Sequence, residues 1–458
     1  MDDFNKNRVK KLVMFLLSLI LAAGITFLIK DPGFTDSQVY VLFLLFFAVG
    51  LWLTEAMPAF AVSLLIISYL VFALGNPFLN SQPENIDKYA QTFSSSVIWL
   101  MLGGFFLATA MTKTKLDEAL FRFTLKISGR NPRNLLAGLM FTTMLASMLM
   151  SNTATTAMVI AAIMPLLASL GKTSGFSKAL LLGIPIAAAT GGMGTIIGTP
   201  PNAIAAGALE NAGITIDFID WMKFGVPIAL ALTAISCFVL IRLFIKDNTP
   251  ISLAFMDNQV VDKTQEFVRQ RRVVIVVIII TVGLWLTTSL HGIKVAAVCA
   301  VPLVFLTLTR VLEGKDIQGL PWDTLLLVAG GLSLGLALEQ TGLLNHYAQL
   351  LITVKINSIV LMFIFAFLTM LVSNIMSNTA ASTVMIPLGM AIMVGFEQQI
   401  ALIIAISAST AMFLPVSSPP NAIAFSTGLL EQKDFRVGGI LIGVLGPILA
   451  ILWVLLIS

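Results

Sequence analysis

Long apolar stretches, separated by short polar connections, run along almost the whole of this 458-residue chain. Several of them approach or reach the roughly 20 residues that an α-helix needs to cross a hydrocarbon core about 30 Å thick. Among them are segments 12–29, 39–53, 60–75, 96–112, 220–245, 272–290, 293–309, 323–338 and 437–457. The pattern predicts an all-α polytopic membrane protein without a soluble domain of ordinary size.

Composition agrees with this fold class. Hydrophobic residues make up 58% of the chain and charged residues 11%, and the mean hydropathy is +0.97. The basic N-terminus leads into a long apolar run without a small-residue cleavage site, so we expect a retained first helix rather than a signal peptide. Cys237 and Cys299 both fall in apolar segments, where we expect buried side chains rather than a disulfide.

Lysine and arginine residues cluster in alternate connections between the apolar segments, as the positive-inside rule requires. The alternation holds only if segments 134–170 and 357–396 enter the membrane and return to the same side. We therefore predict about eleven crossings plus two re-entrant hairpins, with the N-terminus in the cytoplasm and the C-terminus outside. The polar stretch 247–267 then becomes a cytoplasmic linker between two halves.

The two halves repeat the same order of motifs. Each re-entrant segment carries Ser-Asn-Thr near its middle, where a hairpin tip would lie, with a Gly-Gly pair before it and Pro-Pro-Asn after it. The matched motifs are Gly103-Gly104 and Gly330-Gly331, Ser151-Asn152-Thr153 and Ser377-Asn378-Thr379, and Pro200-Pro201-Asn202 and Pro419-Pro420-Asn421. For the Gly-Gly pairs we expect close helix packing rather than ligand contact. Because the halves have opposite orientation in the predicted topology, the plan is that of the inverted repeats of secondary transporters.

Segments 177–212 and 399–430 are too interrupted for one smooth helix each, because glycines and tandem prolines fall in their middle. Proline removes a helix donor, and the residue before it leaves helical geometry. We expect two half-helices in each segment, with free carbonyl and amide groups between them. Such groups are tolerated within a membrane only where they line a cavity or hold a ligand.

The polar groups at the tips and breaks indicate what could bind there. Serine, threonine and asparagine oxygens together with backbone carbonyls suit a small monovalent cation, whereas helix N-termini and hydroxyl or amide donors suit an anion. The motifs contain no lysine or arginine. An anion would therefore need cations bound beside it, and coupling to sodium follows, since each ligand raises the affinity of the other. We interpret Glu55 as a loop-end residue, which leaves no acid beside the motifs for a proton relay.

These motifs resemble the divalent anion/sodium symporters, the INDY-type carriers of Krebs-cycle dicarboxylates and citrate. The resemblance covers almost the whole chain, and it implies a homodimer in a bacterial inner membrane that works as an elevator. It also implies two domains, a scaffold that holds the subunits together and a transport domain that slides. The implied parts are scaffold 1–112 and 268–338, transport 113–246 and 339–458, and linker 247–267. Segments 116–128 and 343–354 carry apolar residues at helical spacing between charged or polar residues, a pattern that predicts interfacial helices.

The resemblance also assigns site residues. The first sodium site would use Ser147, Ser151, Asn152 and the carbonyl of Gly198, and its mirror would use Ser373, the carbonyl of Met376, Asn378 and the carbonyl of Ser417. The substrate carboxylates would contact Asn152, Thr153, Thr199, Asn378, Thr379, Ser418 and Pro419. One departure is that Ser417-Ser418 stands where Ala-Thr is common in this family, which affects the second cation site and the choice of substrate.

Several functions remain open at this point. The leading one is sodium symport of C4 dicarboxylates such as succinate, fumarate and malate. Alternatives of the same fold are a sodium-independent dicarboxylate exchanger and a sodium-coupled citrate or sulfate carrier. An enzyme is disfavoured because His291 and His346 are unpaired and no acidic pair occurs at one depth. A channel is disfavoured because no ring of charged pore residues is visible.

Overall fold

The computed structural model describes residues 2–247, 249–251, 264–352 and 356–458, and within these ranges the regular secondary structure is helical. Most of the expected linker 247–267, and residues 353–354 of the second expected interfacial segment, lie outside the described residues. Nine of the described helices are long and apolar enough to cross a membrane, and four shorter apolar helices accompany them. The predicted all-α polytopic fold class is confirmed.

In the N-terminal part, the first two long helices pack on each other and the third packs on the second. Thr35 and Gln38 cap each other's backbone N–H groups at the start of the second helix. Glu55 follows that helix with a φ of 49°, in the helix-ending position expected of a loop-end residue. The helices are α1 (Asp2–Ile29), α2 (Asp36–Thr54), α3 (Ala59–Gly75), α4 (Asp87–Ala90) and α5 (Ser96–Lys113).

The next part holds the first hairpin and the first broken helix. An amphipathic helix comes first, with the bounds that the sequence predicts for an interfacial helix. Pro132 starts the hairpin at the first helical position, where its missing N–H is not needed. The helices are α6 (Leu116–Ser128), α7 (Pro132–Ser147), α8 (Asn152–Leu170), α9 (Gly175–Gly192), α10 (Pro200–Asn211) and α11 (Phe218–Phe244).

The second half repeats this order with two irregularities that the apolar pattern does not predict. The helical run in segment 293–309 is interrupted at Cys299, and the last helix contains a π-helical turn at Gly439–Val444. The helices are α12 (Gln265–Leu286), α13 (Thr288–His291), α14 (Val295–Val298), α15 (Ala300–Leu308), α16 (Gly314–Gln318), α17 (Trp322–Gln340), α18 (Leu343–Ile352), α19 (Ser358–Ile375), α20 (Asn378–Ile392), α21 (Glu397–Ala408), α22 (Pro419–Ser426), α23 (Phe435–Gly438) and α24 (Leu445–Ile457).

Helix packing shows the internal repeat in three dimensions. Both arms of the first hairpin, α7 and α8, pack on α9, and both arms of the second, α19 and α20, pack on α21. The halves also cross, because α8 packs against α22 and α10 packs against α20. Each hairpin therefore contacts the first half of its own broken helix and the second half of the other one.

The two Gly-Gly pairs lie where α5 and α17 meet two different neighbours. A Cβ atom on Gly103 would lie 2.8 Å from Cys299 Sγ, and one on Gly104 would lie 3.0 Å from Ile197 in the first break. A Cβ atom on Gly330 would lie 2.6 Å from the Cα of Ser63, and the corresponding atom on Gly331 would lie 2.7 Å from Thr383 Oγ1 in α20. The expected close packing is confirmed, and within each pair the second glycine faces the hairpin and broken-helix part.

Candidate functional site at the hairpin tips and helix breaks

The tip of the first hairpin is closed by its own polar side chains. Ser151 caps α8 and accepts a hydrogen bond from the N–H of Ala154 over 3.2 Å. The buried hydroxyl of Ser147, at the end of α7, donates to Asn152 Oδ1 over 2.7 Å. Three of the four residues predicted for the first cation site are therefore at one tip.

The first break spans residues 193–199, and glycine lets it approach this tip. A Cβ atom on Gly192 would collide with the side-chain amide of Asn152, and one on Gly198 would lie 2.5 Å from the carbonyl oxygen of Gly192. Only glycine fits at such separations. Gly198, the fourth predicted residue of the first cation site, thus packs against Gly192, which in turn packs against Asn152.

The second tip repeats the first. Ser377 caps α20 by accepting from the N–H of Ala380 over 3.2 Å, and the buried hydroxyl of Ser373 lies 2.7 Å from Asn378 Oδ1. The same hydroxyl also lies 2.7 Å from the carbonyl oxygen of Ala408, at the end of α21. Met376 directly follows α19 in the tip and is buried.

The second break spans residues 409–418 and is tied to the second tip by Asn374. The amide oxygen of Asn374 accepts from Phe413 N over 3.0 Å and from Ser417 Oγ over 2.8 Å. Ser417 Oγ in turn accepts from Leu414 N over 3.0 Å. Ser417, whose carbonyl the resemblance assigns to the second cation site, is thus attached to the tip that holds Ser373 and Asn378.

Each break is spanned by the asparagine of its Pro-Pro-Asn motif. Asn202 Nδ2 donates to the carbonyl oxygens of Gly192 and Thr195 over 2.9 and 2.7 Å. Asn421 Nδ2 donates to those of Met412 and Leu414 over 3.3 and 2.9 Å. These donors satisfy carbonyls that the broken helix leaves free, and they thereby stabilise the non-helical conformation of each break.

The residues predicted to bind substrate lie around these contacts. Thr199 and Ser418 precede the half-helices α10 and α22, in matching extended conformations with φ of −152° and −147°. Both are buried, and Ser418 Oγ accepts from Asn421 N over 3.4 Å. Thr153 and Pro419 are exposed, and Thr379 is half-buried. Among the described residues, hydrogen bonds join Ser147 to Asn152 and Ser373 to Asn378, but none joins Thr153, Thr199 or Thr379 to those pairs through a side chain.

Positive charge lies beside the second break. Lys433 and Arg436 line a cavity of about 470 Å³ together with Phe413, Leu414 and Gln432. Lys433 makes an ion pair with Glu431 at 2.7 Å, and its hydrogen bond lowers the pKa of the Glu431 carboxyl. Arg436 makes no ion pair with any described residue, so its charge is available to an anion that approaches the break.

Sequence reasoning missed three side chains that build the site. Asn202 and Asn421 stand in the repeated motifs, and their position directly after two prolines could have indicated that they bridge the break. Asn374 directly follows Ser373, but the matching residue of the first half is Met148. A comparison of the two halves therefore does not mark Asn374 as a repeated polar residue. The oxygen atoms at the tips fit a small cation by their chemistry, because hydroxyl, amide and carbonyl oxygens are hard, uncharged ligands.

Two hairpins whose polar tips face two broken helices, in a chain whose described residues are helical and largely apolar, define a membrane transporter rather than an enzyme. The family model described as "Citrate transporter" matches residues 49–401, and the chain belongs to this family.

Curated relatives agree with this assignment. The chain is 27% identical to the sodium-dependent dicarboxylate transporter SdcS of Staphylococcus saprophyticus, over 97% of this chain and 91% of that protein. It is 28% identical to SdcS of Staphylococcus aureus, over 90% and 85%, and 29% identical to an uncharacterized transporter of Haemophilus influenzae, over 94% and 93%. These matches confirm the resemblance to the divalent anion/sodium symporters.

Two solved structures share the fold at low sequence identity. The YdaH transporter of Alcanivorax borkumensis matches with a TM-score of 0.53 and 14% identity, over 87% of this chain and 97% of that one. MtrF of Neisseria gonorrhoeae matches with a TM-score of 0.57 and 13% identity, over 90% and 97%. Both are transporters, and the likeness concerns the helical architecture alone.

Proposed function

We propose that this protein imports C4 dicarboxylates together with sodium ions. The observation that carries the proposal is the matched pair of tips, where Ser147 and Asn152, and likewise Ser373 and Asn378, hold two oxygens 2.7 Å apart against a broken helix. Two oxygens so close can bind one ion together. The printed function of the relatives, sodium-dependent dicarboxylate transport, supports the same substrates.

The substrate dianion would lie between the two tips. Its carboxylates would be held by the amide nitrogens of Asn152 and Asn378, the hydroxyls of Thr153, Thr199, Thr379 and Ser418, and the backbone at Pro419. The N-termini of α10 and α22 contribute their dipoles. Since no cationic side chain joins the described tip contacts, bound sodium balances the negative charge, and each ligand then raises the affinity for the other.

Access to the two sides of the membrane would alternate by an elevator movement. Residues 1–112 and 268–338 form the fixed scaffold of a homodimer, and residues 113–246 and 339–458 form the part that slides. The crossed packing of α8 on α22 and of α10 on α20 supports this division, because it binds the tips and breaks into one unit. The bacterial origin of the relatives supports a bacterial inner membrane. The positive-inside rule supports an N-terminus in the cytoplasm and a C-terminus outside.

Uptake of labelled succinate into proteoliposomes tests the proposal. An inward sodium gradient should drive uptake that a potassium gradient does not, and Asn152→Ala and Asn378→Ala should each abolish it. Asn85→Ala, in an exposed connection, is the matched control. Uptake that ignores sodium but requires internal unlabelled malate would instead identify an exchanger.

The description of the matched family favours citrate as a second candidate substrate. The free charge of Arg436 beside the second break suits a tricarboxylate as well as a dicarboxylate. Competition separates the two, since unlabelled citrate should inhibit succinate uptake at lower concentration than malate only if citrate is preferred.

The sliding movement has its own test. An added Cβ on Gly207 would lie 2.7 Å from Leu332, so Gly207→Cys and Leu332→Cys place two thiols across the proposed boundary. In a background of Cys237→Ser and Cys299→Ser, oxidation should stop uptake and a reductant should restore it. Full uptake by the oxidised, cross-linked protein would contradict the elevator.

A further inference from the structure

Each hairpin tip is tied to its break by one more polar side chain, and the two halves use different ones. In the first half, Thr195 Oγ1 in the break donates to the carbonyl oxygen of Met148 in the tip. In the second half, Asn374 Oδ1 in the tip accepts from Phe413 N and Ser417 Oγ in the break. The same gap is bridged both times.

Alignment of the two halves shows that the bridging side chain lies in the break in the first half and in the tip in the second. Aligning Ser147 with Ser373 places Met148 opposite Asn374, and aligning Pro200 with Pro419 places Thr195 opposite Leu414. Where one half has a polar side chain in the break and an apolar one in the tip, the other half has the reverse. The break donates and the tip accepts in both halves, but the side chain that makes the bond changes place.

The geometry around Asn374 fixes which way its amide points. Its Nδ2 donates to the carbonyl oxygen of Met370 over 2.9 Å, one turn earlier in α19, so Oδ1 faces the break. Ser417 Oγ accepts from Leu414 N, which leaves its own hydrogen for Asn374. This chain of bonds sets the orientation of Ser417, whose carbonyl belongs to the proposed second cation site.

Thr195 has a comparable position in the first half. Its side chain is 2% exposed, and the residue also accepts, through its carbonyl oxygen, a hydrogen bond from Asn202 Nδ2. Gly198 N donates to that same carbonyl over 3.2 Å. Thr195 therefore connects the tip to the loop that carries Gly198, whose carbonyl belongs to the proposed first cation site.

We propose that Thr195 and Asn374 are positioning residues of the two cation sites, each holding a hairpin tip at the distance from its break that lets both supply ligands to one sodium ion. This inference rests on the proposed sodium coupling. Groups that orient metal ligands without touching the metal commonly change its affinity roughly 10- to 100-fold. With a weakly held monovalent ion, loss of either contact raises the half-saturating sodium concentration about tenfold, at the lower end of that range.

The test compares sodium activation of succinate uptake in Thr195→Val and Asn374→Leu with that of the conservative variants Thr195→Ser and Asn374→Gln. The first two variants remove the bridging group at similar volume, and the second two keep the hydroxyl or the acceptor oxygen. We expect the half-saturating sodium concentration to rise in the first pair and to stay within about twofold of wild type in the second. The maximal rate and the KM for succinate at saturating sodium should not change.

The inference is overturned if the first pair lowers the maximal rate or the melting temperature while the sodium curve keeps its midpoint. Wild-type uptake that ignores sodium would instead defeat the proposed function, before any variant is compared. Hydrogen exchange of the purified protein separates the two failures further. The N–H groups of Phe413 and Leu414 should exchange faster in Asn374→Leu than in Asn374→Gln, whatever ion is transported, and equal rates would show that Asn374 does not hold the break.

Discussion

Ser147 and Asn152 lie across the first hairpin tip with Oγ and Oδ1 2.7 Å apart, and Ser373 and Asn378 lie across the second tip at the same distance. The two halves of the chain thus share the same local geometry at their hairpin tips. Each pair joins the last turn of one arm to the first residue of the next, so the two oxygens move with the tip as one unit.

Ser147→Ala and Ser373→Ala each remove one oxygen from a tip. We expect the half-saturating sodium concentration for uptake to rise about tenfold in each variant, since a bond to a charged partner contributes about 1.5 kcal/mol. Sodium activation curves in proteoliposomes measure this. Ser169→Ala is the control, because its hydroxyl bonds within α8 to Leu166, far from the tip. Unchanged curves in both variants would remove the serines from the cation sites.

Asn202→Ala removes the donor that spans the first break and leaves two buried carbonyls without it. We expect a loss of about 2–3 kcal/mol in the free energy of unfolding, seen as a lower melting temperature in detergent. Asn202→Asp should be worse, because it turns an acceptor towards the same carbonyls. If the aspartate variant were as stable as the wild type, the hydrogen bonds to Gly192 and Thr195 would not hold the break.

We expect Asp117, which lies outside the membrane-spanning helices, to make the stability of the protein depend on pH. Its carboxyl, in the first turn of α6, is 1% exposed, and burial raises its pKa above the ordinary value of 3.8. In the folded state it therefore keeps its proton to higher pH, and stability falls as pH rises from 3.8 through the raised pKa.

Asp117→Asn keeps the bond that Asp117 Oδ1 accepts from Glu118 N but carries no charge. We expect this variant to melt higher than the wild type at pH 7, with the difference shrinking as pH approaches 4. Melting temperatures of both proteins across that range measure it. A difference that did not depend on pH would assign the effect to packing. Glu118→Gln, at a half-exposed ion pair with Arg122, should change little.

Alanine substitutions in the two Gly-Gly pairs should reduce stability by different amounts. Gly330→Ala places its methyl group 2.6 Å from the Cα of Ser63, whereas Gly104→Ala meets the Ile197 side chain at 3.0 Å or more, where a small shift relieves the contact. We expect Gly330→Ala to cost about 1–3 kcal/mol of stability and Gly104→Ala less. Melting temperatures in detergent rank the two. The reverse order would show that α3 and α17 are able to separate.

Much of this arrangement follows from local sequence. Tandem prolines predict both breaks, and α6 begins and ends where the apolar pattern places it, because these signals act within a few residues. Asn374 was not predicted, since its partners Phe413 and Ser417 are close only in the folded chain. The ion pair of Lys178 with Asp434 joins residues 256 positions apart for the same reason. The π-helical turn at Gly439–Val444 carries no proline or polar signal at all.

The two glycines of each Gly-Gly pair contact different parts of the protein, so that mutations can separate the stability of the scaffold from the movement of the transport domain. Gly103 and Gly330 face neighbours on the proposed scaffold side, whereas Gly104 and Gly331 face Ile197 and Thr383 across the proposed boundary. Two adjacent residues of one helix therefore affect two different properties, the packing of the proposed scaffold and the contact between the two proposed domains. A methyl group on the first glycine would change the stability of the proposed scaffold. A methyl group on the second would instead obstruct the surface along which the proposed transport domain slides.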